Sequence, residues 1–337
     1  MVTTTDYLTQ LQTDKQALVD NLVLKGVDAS PNETFTSLVP KVAEIKSGGA
    51  TITDCSYLFY QGARTDVLNE LLSLCRNATK MTAMFNGCKT LTELDLSGLD
   101  VSQVTNMDNT FNGSSNLTSL NLNGWDTSNV TSMNNLFMNC SKITELDLSH
   151  FDVSKVTSVI GVFNGCQGLI SLNLNGWNTP QLTNMSYLFA SCSGLPTIDL
   201  SSFTTTEVTN MNNMFYMCRA LTSIDVSNFV TSKVTSMQNM FQYCAKLKSI
   251  DISNFDGTLL ISNGTNSMFN NCSVLESVII NNPNVFPMTN TNMFTSTPIK
   301  NGTGYVYVPD DLVETYKSAT NWSTYANQIK GMSELPE

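Results

Sequence analysis

Apolar residues return along this chain at fixed intervals. In Val130 to Leu148, VTSMNNLFMNCSKITELDL, Met133, Leu136, Phe137 and Cys140 stand at i, i+3, i+4 and i+7. That spacing predicts one face of a short helix, with Ser132 as its N-cap. Ile143-x-x-Leu146-x-Leu148 follows, with Leu146 and Leu148 on one side of a strand and Glu145, Asp147 and Ser149 on the other. Phe137 has counterparts at Phe59, Phe85, Phe111, Phe163, Phe189, Phe215 and Phe241, each 26 residues from the next, and looser ones at Phe269 and Phe294. A fixed period of this size predicts a solenoid of stacked rungs, each touching only its neighbours.

The pattern divides the chain. Residues 1–46 predict an N-terminal helical anchor or oligomerisation segment, with Leu8, Leu11, Leu18 and Leu22 on one helix face. A Gly-containing linker follows. Residues 51–88 read as a capping repeat, since terminal repeats must close the exposed core. Residues 89–300 are the repeat array. Within it ELDLS and SLNLN alternate, as do Trp125 and Trp177 with Leu99 and Phe151, which implies a duplicated two-rung unit. The array loosens after residue 258. Residues 301–337 read as a C-terminal cap, with a strand Tyr305–Pro309 and a helix opened by a capping box of Asp311 and Glu314.

The fold class that follows is an α/β repeat solenoid with parallel strands and short helices. The Leu-x-x-Leu-x-Leu run is the leucine-rich-repeat signature, and the period lies within the range of that class.

Composition narrows the function. Net charge is −11 and only 13% of residues are charged. An acidic chain without a basic patch excludes nucleic acid as the expected partner. No apolar run is long enough to enter and span a membrane. The start, MVTTTDYLTQLQTDKQ, shows no basic segment followed by an apolar core, so no export signal is read there. Seven of nine cysteines (Cys88, Cys140, Cys166, Cys192, Cys218, Cys244 and Cys272) lie three residues after a repeat Phe, with Ser114 filling the same register. They read as a reduced packing ladder, because free Cys behaves as a small hydrophobe.

Outward strand positions carry Glu93, Asp95, Asn121, Glu145, Asp147, Asn173, Asp199, Asp225 and Asp251. This row is the candidate binding surface, for a glycan or a protein; the alternative is a solvated sheet face. A glycosidase needs two carboxylates in unlike surroundings. Here they are periodic copies, so no pair is singled out, and no catalytic residue is assigned. His150 is the only histidine, read as a turn residue. No metal site and no cofactor are expected.

The array resembles the 26-residue bacterial surface leucine-rich repeats called BspA-like, found in surface lipoproteins and adhesins. The run LTSLNLNGWDTSNVTSMNNLFMNC, Leu117 to Cys140, carries the likeness, which extends over about residues 52–300. The N-terminal YLTQLQTDKQALVDNLVLKGVDAS is similar to segments of phage tail-fibre and receptor-binding proteins. Together these resemblances imply a non-enzymatic virion fibre or tail-tip protein, made in the host cytoplasm. It would be a homo-oligomer, a trimer, held to other virion proteins by its N-terminal helices, and would bind a host-surface glycan or protein through the solenoid. A bacterial surface adhesin is the second reading, and an enzyme acting on surface glycans the third.

Overall fold

A computed structural model of the chain describes residues 77–336 continuously, together with residues 19, 29, 30, 32, 53–56, 58–60, 72 and 75. The expected N-terminal helical hairpin, the linker after it and the apolar stretch 67–74 lie outside the described residues, apart from a few isolated positions.

The chain winds into stacked rungs of 26 residues, and the repeat Phe marks the stacking axis. Rings of Phe59, Phe85, Phe111, Phe137, Phe163, Phe189, Phe215, Phe241, Phe269 and Phe294 stack face to face, with neighbouring centroids 5.0 to 5.8 Å apart. The column runs unbroken through the irregular end, so the change of spacing after residue 258 is absorbed in surface turns. Leu, Ile, Val, Met and Cys from every rung surround it. Trp125 and Trp177 are buried, as their register implied, and each indole N–H donates to a carbonyl of the preceding rung, Leu96 or Leu148, at 2.9 Å.

Strands are three residues long in the array. β1 (Glu93–Asp95) pairs in parallel with β2 (Ser119–Asn121), and β3 (Glu145–Asp147) with β4 (Ser171–Asn173). β5 (Ser249–Asp251), β6 (Ser277–Ile279), β7 (Tyr305–Val308) and β8 (Ile329–Gly331) form one parallel sheet. The two early sheets each join one ELD strand to the following SLN strand, so the two-rung sequence unit is also a pairing unit. Pro196 stands at the start of the next strand position and has no N–H to offer Ile170. A second row of parallel bridges links Asp54, Lys80, Asn106 and Ser132, and another Ser158, Asn184, Asn210 and Ser236.

The expected helices are absent from the array. Met133, Leu136, Phe137 and Cys140 are all fully buried, so the face is right and the element is not. The segment is a run of turns with two left-handed residues per rung, Asn135 (φ 55°) and Asn139 (φ 59°) in this one. Alternate N–H groups leave the rung: Phe111 donates to Leu136 O, and Gly113 to Met138 O. The groups between bond locally, Asn112 to Asn109 O and Ser114 to Phe111 O. Asn, Gly and Ser fill most left-handed sites because they tolerate positive φ. Ser132 does not cap a helix; its hydroxyl donates to Asp108.

Seven buried thiols form no disulfide, and each donates its S–H to the carbonyl of a Phe in the preceding rung, as Cys166 does to Phe137 at 3.1 Å. Burial pushes the thiols of Cys166, Cys218 and Cys272 up to about 12. The two cysteines outside the ladder, Cys55 and Cys75, form a disulfide in the first rung.

The C-terminal cap seals the last rung with buried Val308, Tyr316, Trp322, Tyr325 and Ile329. Trp322 donates its indole N–H to Phe286 O at 2.7 Å, and Tyr325 packs edge-on against Phe294. The expected capping box does not form. A 3-10 turn, Asp310–Leu312, leads directly into helix α1 (Val313–Ser318), which has no side-chain cap and ends one residue before Ala319.

Candidate binding face

In β1, β3 and β5 a buried central side chain stands between two outward ones, whereas the central Leu120 and Leu172 of β2 and β4 are half-buried. The parallel register sets Glu93 against Ser119 and Asp95 against Asn121, then Glu145 against Ser171 and Asp147 against Asn173. Asp251 stands against Ile279. Asp199 and Asp225 occupy the same register in rungs that form no strand there. The predicted residues therefore fall along one side of the stack, in two columns.

The columns differ chemically. The inner column closes turns: Asp95 accepts from Ser97 N, Asn121 from Asn123 N, Asp147 from Ser149 N, and Asn173 from Asn175 N. Asp199, Asp225 and Asp251 accept likewise from Ser201, Ser227 and Ser253. These are Asx turns, in which the side chain stands in for a backbone carbonyl. Hydrogen bonds from Ser97 and Ser149 hold the carboxyls of Asp95 and Asp147 below the ordinary value. One oxygen of each is thus committed to local structure. Only Glu93 and Glu145 of the predicted set reach outward without closing a turn.

His150 also has a structural post. Its Nε2 lies 3.0 Å from Leu122 O, where Ser202 donates to Leu174 O and Asn254 to Val226 O in later rungs. Among the described residues no group of three or more His, Cys, Asp or Glu side chains converges as metal ligands would. No helix among them is long and apolar enough to cross a membrane.

Sequence reasoning missed another surface. Tyr187, Tyr216 and Tyr243 emerge from the turn side of three consecutive rungs, Tyr187 43% exposed. Tyr216 and Tyr243 meet edge to face at 5.9 Å. Departure from the Asn, Gly and Ser usual in these turns was the available signal.

A 26-residue parallel solenoid with a Leu-x-x-Leu-x-Leu strand and a stacked Phe core defines a leucine-rich-repeat protein of the BspA-like type. Residues 53–167, 79–198 and 195–303 match the family described as "Mycoplasma protein of unknown function, DUF285", and the chain belongs to that family. Among solved structures it is similar to a leucine-rich cell surface protein from Faecalibacterium prausnitzii A2-165, at 17% identity over 76% of this chain and 77% of that one (TM-score 0.27). It is also similar to a leucine-rich repeat protein of T. pallidum, at 19% identity over 35% and 72% (TM-score 0.20). A third is the functional domain of InlJ from Listeria monocytogenes, which includes a cysteine ladder, at 14% identity over 87% and 74% (TM-score 0.20). No curated protein matches the chain.

Proposed function

We propose that this protein is a non-enzymatic recognition module of a bacterial cell surface, an adhesin that binds a host glycan or protein through its solenoid. The observation that carries this reading is membership of the BspA-like repeat family across residues 53–303. Repeat solenoids use their extended faces for binding, and the strand side here offers Glu93 and Glu145 free of turn duties. Each carboxylate recurs from rung to rung, Glu93 at Glu145 and Asp95 at Asp147, so no pair is singled out for hydrolysis, which supports a binding role. The Cys55–Cys75 disulfide supports a place outside the reducing cytoplasm. The virion reading keeps only the likeness of the N-terminal segment, which lies outside the described residues, and no comparison supports it.

Binding of the full chain to host cells, followed by flow cytometry, tests the proposal. Saturable binding is expected, weakened by Glu93→Lys and Glu145→Lys together. Undiminished binding by that double variant removes the strand side as the contact, and absence of binding to any host cell removes the adhesin reading.

A further inference from the structure

Two columns of the turn side hold left-handed residues. One contains Ala83, Asn109, Asn135, Gly161, Asn213, Asn239 and Ser267, the other Gly87, Gly113, Asn139, Gly165, Ser191, Asn271 and Ser296. Three residues break this habit: Tyr187 (φ 59°), Met217 (φ 59°) and Tyr243 (φ 64°). They fall in three consecutive rungs. A bulky side chain at positive φ is strained, and such strain persists where function selects the residue. Two of the three carry aromatic rings, Tyr187 exposed and Tyr243 half-buried. Backbone bonds fix them, Tyr187 N–H to Asn212 O, Met217 N–H to Gln242 O, and Tyr243 N–H to Asn270 O.

Two of these rungs also carry exposed cations. Arg219 follows Met217 by two residues and Lys246 follows Tyr243 by three, in adjacent rungs. Both are exposed, and neither has an ion-pair partner among the described residues. Exposed cations without ion-pair partners, in the same two rungs as Tyr216 and Tyr243 on a chain of net charge −11, call for an anionic ligand. The backbone here is already spent on rung-to-rung bonds, so a peptide has no strand edge to join. Recognition must come from flat rings and from the Arg fork, which matches a carboxylate in bidentate fashion.

We propose that Tyr187, Tyr216, Tyr243 and Arg219 form a binding platform for a glycan bearing a sugar carboxylate, a sialic or uronic acid. The rings stack on the apolar face of the sugar, and Arg219 takes the carboxylate. This deepens the adhesin reading but uses a different side of the rung, so strand-side variants leave it intact.

The test is saturation-transfer NMR and calorimetry on the full chain with 3′-sialyllactose, a hyaluronan tetrasaccharide, lactose and an oligoglutamate peptide. At least one acidic glycan should bind more tightly than lactose. Arg219→Ala should erase that preference, weakening the acidic glycan by about tenfold. Tyr187→Asn installs the residue used at Asn213 and Asn239; it should raise the melting temperature while weakening every glycan. Absence of binding by both acidic glycans overturns the proposal. So does binding that survives both substitutions, or binding of oligoglutamate in place of the glycans.

Discussion

The Ser114 hydroxyl donates to the Phe85 carbonyl at 2.7 Å, in the place where Cys140 Sγ donates to Phe111 at 3.1 Å one rung later. The Phe85 carbonyl also receives Cys88 N–H within its own rung. What this ladder position requires is therefore a small side chain with a donor at its tip. Sulfur is the usual means, and oxygen serves as well. Ser114→Cys should leave stability within about 1.5 kcal/mol of the parent, as volume-conserving changes do. Ser114→Ala should lose about 1 kcal/mol with the hydrogen bond. Urea unfolding of both variants checks the order, and an Ala variant as stable as the parent would show that the donor is idle.

Asn139 separates a turn from a helix. In a helix interior, glycine costs about 1 kcal/mol relative to alanine. At φ 59° glycine is relieved of the strain that any Cβ brings, and Gly113 and Gly165 already occupy this column. Asn139→Gly should be neutral or stabilising. Asn139→Val should lose about 1–3 kcal/mol, the usual range for a residue forced into the left-handed region. Thermal melts of the pair decide between the two local structures.

Phe294 stands in the loosest copy of the repeat, yet its ring stacks on Phe269 at 5.7 Å and is covered by Trp322 and Tyr325. Truncation of a buried Phe costs about 3–5 kcal/mol. Phe294→Ala should fall in that range, as should Phe137→Ala, which is equally buried. Calorimetric melts giving a loss below about 1 kcal/mol at Phe294 would mean that the cap leaves that ring wet.

The thiols give the fold an alkaline limit. An unfolded Cys ionises near 9.0, whereas Cys166, Cys218 and Cys272 in the fold are pushed up to about 12. The folded state holds protons that the unfolded chain gives up. The stabilisation is whole below pH 9 and declines from there toward pH 12, by about 1.4 kcal/mol per pH unit for each such thiol. Denaturant midpoints measured between pH 8 and 11 should fall steeply. A thiol reagent should modify the seven ladder cysteines only after unfolding, and fast labelling of the native protein would contradict their burial.

Much of this was legible in the residues. The 26-residue period, the buried face of Met133, Leu136, Phe137 and Cys140, the thiol ladder, the two-rung unit and the strand-side row were all set by spacing. The element carrying the buried face was not. An i, i+3, i+4, i+7 pattern reports which side chains share a face, and turns with a left-handed residue every fourth position meet it as well as a helix does. Asn135 and Asn139, with Gly161 and Gly165 one rung on, were the available warning, since Asn and Gly favour turns. The strand-side aspartates were visible, but their capture by Ser97, Ser149 and Ser253 was not, because an Asx turn and a free carboxylate look alike in sequence. Cys55 and Cys75 stood off the ladder register, which was the one sign that they pair with each other.

Joints between neighbouring rungs of the regular array share the same parts: a Phe ring on a Phe ring, alternate N–H groups crossing to the next rung, and at most of them a Thr hydroxyl meeting a Thr carbonyl, as Thr131 does with Thr105. Any two-rung unit of the regular array can thus follow another. An in-frame loss or gain of 52 codons inside the array removes or inserts one such pair of storeys without disturbing the joints above and below. Such a gene can lengthen or shorten its product by recombination between its own copies, by roughly 4.8 Å for each storey, the spacing of paired strands.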